Sequence, residues 1–130
     1  MNNCIGIINL DENEKKTTEL TRHRPLASLP IAGRYRVVDF ILSNMTNSGI
    51  EAIGIFTKNN SRSLMDHLTN GKPWDIYRKK DGLKVFNFSD EPPVHDDVHN
   101  FLDNIDYFDR SKKEYTLICS SYMICNIDYN

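Results

Sequence analysis

Three short apolar runs, CIGIINL from Cys4, AIGIF from Ala52 and YTLIC from Tyr115, constrain this chain more than any other feature. Each is rich in apolar and β-branched residues and too short for a buried helix, so each reads as a buried strand. Between the first two lies VVDFILSNMTNSG, where Val38, Ile41, Leu42 and Met45 follow helical spacing and Gly49 is a good C-terminal stop. The result is one strand-helix-strand unit.

The same alternation continues. In SRSLMDHLTNG, Ser61 or Ser63 offers an N-cap, Leu64 and Leu68 an apolar face, and Gly71 a terminator. GLKVFNF alternates like a strand near a surface, and the prolines of EPPV break any helix there. DVHNFLDNIDYFDRS then places Val98, Phe101, Leu102, Ile105 and Phe108 on one helical stripe ahead of YTLIC. The order βαβαβαβ predicts an α/β fold, a mostly parallel sheet with helices on both faces. The chain shows neither internal repeats nor low-complexity segments.

Composition narrows the functional classes. With 130 residues, 39% hydrophobic and 26% charged, the chain is long enough for one modest core. A formal net charge of -2 gives no overall pull toward nucleic acid or an anionic membrane. The N-terminal residues carry no basic segment followed by an apolar one, and no stretch approaches the roughly 18 apolar residues of a membrane span. Cys4, Cys119 and Cys125 are an odd number at spacings unlike a zinc knuckle or redox pair. They read as reduced, mostly buried thiols of a cytoplasmic protein.

Open parallel sheets bind ligands beyond the carboxyl ends of their strands. Attention therefore falls on the loop after Asn9 and the stretch after Cys119. The first strand-to-helix loop, from Asp11, contains no glycine, although a phosphate-cradling turn needs bare backbone amides in strained conformations.

The run TRHRPLASLPIAGRYRVVDFILSNMTNSGIEAIGIFT, residues 21–57, resembles the N-terminal segment of the glucose-1-phosphate adenylyltransferases (ADP-glucose pyrophosphorylases). Their pattern runs approximately R-A-K-P-A-V-P-F-G-G-K-Y-R-I-I-D-F, followed by L-S-N and N-S-G-I. Matches continue in SRSLMDHLTNGKPWD, EYTLIC and NIDY, so the resemblance covers nearly the whole chain. It implies a Rossmann-like nucleotidyltransferase domain of which residues 1–130 are the N-terminal part. The remainder of that domain and a C-terminal left-handed β-helix are expected to follow.

The departures from the family pattern agree in direction. Counted back from Asp39 without a gap, the glycine-rich G-G-x-G-T-R-L loop falls on Asp11, Glu12, Asn13, Glu14, Lys15, Lys16 and Thr17. Three carboxylates there would repel a triphosphate. The lysine of R-A-K-P falls on Leu26, and the nucleotide-sugar segment G-T-A-x-A falls on Asp96, Asp97, Val98, His99 and Asn100. The family's A-G-D falls on Ser120, Ser121 and Tyr122, so the metal-binding aspartate is replaced by a phenol. A neutral phenol is a poor substitute for the carboxylate that holds Mg²⁺ against phosphates.

This combination resembles the regulatory, GlgD-type subunit of the family. It implies a chain with no catalytic residues and no bound cofactor of its own, paired with a catalytic subunit that uses Mg²⁺. The rival expectations are an active sugar-phosphate nucleotidyltransferase with an altered loop and a stand-alone sugar-phosphate sensor or scaffold.

Arg22, Arg24, Arg34 and Arg36, with His23, form the densest basic cluster. The resemblance puts Arg34 where anionic sugar-phosphate effectors bind, and guanidinium forks suit phosphate oxygens; ion pairs are the structural alternative. Asp39 can partner one of these arginines or cap the helix beginning near it. His95 and His99, with Asp96 and Asp97 between them, superficially resemble a metal site, but no third ligand is apparent and a solvated start of a helix fits better. Trp74, Tyr77, Phe86 and Phe88 read as core or interface, and RKKDGLK as a solvated turn. As a fragment of a parallel sheet, the chain is expected to self-associate.

Overall fold

A computed structural model describes residues 2–10, 18–58, 61–76, 82–88 and 97–130. In chain order these form β1 (Cys4–Asn9), α1 (Thr18–Thr21), a 3-10 turn (Leu26–Ser28), β2 (Pro30–Ile31), β3 (Tyr35–Arg36), α2 (Val37–Asn47) and β4 (Ala52–Lys58). There follow α3 (Arg62–Leu68), a second 3-10 turn (Thr69–Trp74), β5 (Leu83–Phe88), α4 (Asp97–Leu102), α5 (Ile105–Ser111) and β6 (Tyr115–Ser120). β5, β4, β1 and β6 lie side by side in that order, and every pairing between them is parallel. The mostly parallel α/β sheet expected from the sequence is present.

Period-two alternation divides the core into two layers. Cys4 and Ile8 of β1, with Ile53 and Ile55 of β4, pack against Val38, Ile41, Leu42 and Met45 of α2 and Leu64 and Leu68 of α3. Ile5, Ile7, Ala52 and Phe56 face the opposite way and meet Tyr107 of α5, with Phe101 and Phe108 beside them. Helices therefore cover both faces. Burying each of the large aliphatic side chains in these layers contributes about 1.5–3 kcal/mol.

On the second face, Phe56 centres an aromatic cluster. Its ring lies 4.7 Å from Phe86, 5.5 Å from Phe88 and 5.0 Å, edge-on, from Phe101. The reading of Phe86 and Phe88 as packing residues holds. Gly54 makes room for this layer, because a Cβ there would stand 2.9 Å from Tyr107 Cε1 and 3.1 Å from Ile7 Cδ1.

Four local expectations need correction. α3 ends at Thr69, which takes a left-handed φ of 39°, and Gly71 lies inside the following 3-10 turn. Ser61 stands at the N-cap of α3 but makes no side-chain capping bond, its hydroxyl turning to Met65 Sδ at 3.7 Å. The stripe from Val98 to Phe108 is not one helix, because the chain turns at Asp103 and Asn104 between α4 and α5. Val98, Leu102 and Ile105 are consequently exposed, leaving the packing to Phe101, Tyr107 and Phe108. Finally, among the described residues YTLIC is an edge strand rather than a buried one: Tyr115 is 67% exposed and Ile118 55%.

Candidate ligand-binding site beside the first long helix

Because β1 and β4 run parallel, the connecting helix α2 runs back against them, and its first turn lies toward the carboxyl edge of the sheet. That turn is fixed by Asp39. Its Oδ2 accepts the backbone N–H of Arg36 at 2.8 Å, capping the helix, and its Oδ1 meets His67 Nε2 of α3 at 2.6 Å. The side-chain partner of Asp39 is thus a histidine, and Arg36 meets it through the backbone amide, so the capping role expected of Asp39 is present.

The arginines separate into two groups. Arg36 is half-buried and donates from Nη1 to the Ser28 carbonyl at 2.7 Å and to Ser63 Oγ at 3.1 Å, tying the first 3-10 turn to α3. Arg22, Arg24 and Arg34 are exposed, the last at the tip of the β2–β3 hairpin. That tip places two successive residues, Ala32 and Gly33, at left-handed φ values of 51° and 73°. Leu26 opens the first 3-10 turn and is partly buried.

A cleft of about 610 Å³ runs along the outward side of α2, with Arg34, Asp39, Asn47, His67, Trp74 and Asp75 among its walls. Trp74 is held there by its indole N–H, which donates to Ser43 Oγ at 3.3 Å. The sequence reading had Trp74 as core or interface; it packs partly on the first core layer and also forms this wall. A second cavity of about 290 Å³ adjoins the cleft across the ridge of Asp39, Ser43 and Asn47, which both share, and is further bounded by Phe40, Asn44, Cys125 and Asn126.

The segment after β6 forms the far wall of that second cavity. Asn44 Nδ2 donates to the Cys125 carbonyl at 2.9 Å, and the Tyr129 amide donates to Ser48 Oγ at 2.9 Å. Cys119 Sγ lies 3.6 Å from the Tyr129 hydroxyl. Burial pushes the Cys119 thiol above its ordinary range, and burial followed by the Cys119 bond pushes Tyr129 up to about 12. Asp128 is held below its usual range by the backbone and then the side-chain N–H of Asn130. Nothing in the spacing of Asn44 and Ser48 marked them as anchors for this segment.

At the end of the sheet, Asn9 of β1 pairs with Ser120 of β6. Tyr122 follows two residues later and is 52% exposed. Asp11, Glu12 and Glu14, which the family resemblance places in the phosphate loop, lie outside the described residues, as do His95, Asp96 and Tyr77. Among the described residues no group of three or more His, Cys, Asp or Glu side chains is placed to hold a metal ion. A phenol at Tyr122 is not a donor that fits Mg²⁺.

The sequence profile of the Nucleotidyl transferase family matches residues 15–130. The chain belongs to the nucleotidyl transferase family. It is similar to the glycogen biosynthesis protein GlgD of Geobacillus stearothermophilus, 46% identical across 99% of this chain and 39% of the relative. GlgD of Bacillus subtilis is 42% identical across 98% of this chain and 38% of the relative. The glucose-1-phosphate adenylyltransferase of Clostridium novyi is 34% identical across 85% of this chain and 30% of the relative. This nucleotidyl transferase chain therefore spans about two fifths of the length of its GlgD relatives. No helix among its described residues is long and apolar enough to cross a membrane.

Proposed function

We propose that the chain is the N-terminal part of a non-catalytic regulatory subunit of glucose-1-phosphate adenylyltransferase, the enzyme that makes ADP-glucose and pyrophosphate from ATP and glucose 1-phosphate for glycogen synthesis. The observation that carries this reading is the 46% identity to a GlgD protein, against 34% to an adenylyltransferase. Tyr122 supports it, since the strand end that would carry a metal-binding carboxylate carries a phenol. The Mg²⁺ chemistry then belongs to a catalytic partner subunit in the cytoplasm. The remainder of the domain and a left-handed β-helix complete the subunit.

Regulation requires that this subunit contact the active and inactive states of its partner differently, since only a difference in affinity shifts an equilibrium. Arg22 and Arg24 are exposed and suited to an anionic sugar-phosphate effector; Arg34, also exposed, shares a cleft with Asp39 and Asp75, and Arg36 is committed to Ser28 and Ser63. Co-expression of the full-length subunit with a catalytic adenylyltransferase tests the pairing. Co-purification at a fixed ratio is expected; separate elution of the two chains would contradict it.

A further inference from the structure

The cleft beside α2 has a chemistry of its own. Its volume of about 610 Å³ lies within the range of small-molecule sites, roughly 300–1,000 Å³. We propose that it binds a neutral pyranose, recognised through its hydroxyl groups and ring face and not through a phosphate.

Charge decides against an anionic occupant. Among the described residues, the charged groups on the walls are Arg34, His67, Asp39 and Asp75. Even with the imidazole counted as a cation, the two carboxylates cancel both positive groups. A phosphate would meet no excess of positive charge among the described wall residues and would have carboxylates close by, which disfavours its charged form.

The remaining walls suit a sugar. Asn47 presents an amide along one side, beside the hydroxyls of Ser43, which accepts the Trp74 indole N–H, and Thr46, which donates to the Leu42 carbonyl and keeps its oxygen lone pairs for a sugar hydroxyl. Trp74 with Tyr35 supplies ring surface for the C–H face of a pyranose. The site is also set before any ligand arrives. Ser43 holds the indole N–H, His67 meets Trp74 edge-on at 6.3 Å between centroids, and Asp39 fixes His67. Such preorganisation lowers the ordering cost of binding.

Trp74 is the only tryptophan in the chain, so its fluorescence reports on this cleft directly. The chain is titrated separately with maltotriose, glucose, glucose 1-phosphate and inorganic phosphate. A saturable change with maltotriose and glucose, at a Kd of roughly millimolar strength and unaltered by phosphate, is expected. Asn47→Ala and Asp75→Asn should each weaken maltotriose binding roughly fivefold, the value of one hydrogen bond, with the far-ultraviolet circular dichroism unchanged. Because Asn47 is exposed, its variant keeps the test open if Asp75→Asn misfolds. Absence of a saturable change would overturn the proposal. So would a response confined to the phosphorylated ligands, or equal affinity in the folded Asn47→Ala chain. These outcomes are independent of whether the subunit regulates a partner.

Discussion

Asp39 and His67 stand 2.6 Å apart, the two partners coming from different helices, while the second carboxylate oxygen of Asp39 caps α2 through the Arg36 amide. One side chain thus sets a helix start and a helix-helix contact. Asp39→Ala should remove a cap worth about 1 kcal/mol together with a hydrogen bond to a charged group worth about 1.5–3 kcal/mol. Urea unfolding should show a loss of about 2.5–4 kcal/mol, with His67→Ala costing less because the cap survives. A double-mutant cycle in which the two losses simply add would contradict the coupling.

Ala32 occupies a left-handed conformation at a position where the adenylyltransferase pattern has glycine. An L-residue there carries about 1–2 kcal/mol of strain, against which glycine loses about 0.4–1 kcal/mol more backbone entropy on folding. Ala32→Gly should therefore raise stability by about 0.5–1 kcal/mol. A drop in the urea midpoint at unchanged m-value would show that the turn is not strained.

Tyr129 gives the fold a limit in alkali. Its hydroxyl is pushed from 10.0 up to about 12, so the folded chain holds the proton more tightly than the unfolded chain does. The linked stability is fully present below pH 10, and is lost as pH rises toward 12, because the unfolded state alone ionises in that window. Urea midpoints should fall across this range, and Tyr129→Phe should flatten the fall. An unchanged slope in the variant would count against the assignment.

Much of this architecture was legible in the sequence, and the failures have a common cause. Val38, Ile41, Leu42 and Met45 repeat at helical spacing, and all four are fully buried. Periodicity reports which residues are apolar, but not how many neighbours a strand has. YTLIC looks as apolar as AIGIF, yet β6 has a partner on one side only among the described residues and exposes Ile118. The stripe from Val98 to Phe108 misled in the same way, since Asn104 begins a new helix without any glycine or proline to announce it. At the site, Asp39 was visible as a cap but not as the partner of His67, 28 residues away. Contacts between elements are set by packing, which a linear pattern does not encode.

The exposed edge has its own consequence. Tyr115 and Ile118 on β6, with Tyr122, Met123 and Ile124 following, combine a strand edge without a partner among the described residues with exposed apolar side chains. Such edges pair with other strands. The 130-residue chain by itself should associate with rising concentration in light scattering. A monodisperse monomer throughout would argue that the edge is protected.

Gly54 offers a check on the packing of the second layer. A Cβ there meets ring and methyl carbons at 2.9 and 3.1 Å, with Tyr107 buried and hemmed in by Phe86 and Phe108. Gly54→Ala should cost about 1–3 kcal/mol by overpacking. An unchanged thermal midpoint would mean that α5 can shift outward freely.

The regulatory reading is tested most directly by pyrophosphate release from ATP and glucose 1-phosphate with Mg²⁺, measured for the full-length subunit alone, a catalytic adenylyltransferase partner alone, and the two mixed. The account predicts no turnover by this subunit alone and a higher rate on mixing than the partner shows by itself. Clear Mg²⁺-dependent turnover by this subunit alone would contradict it.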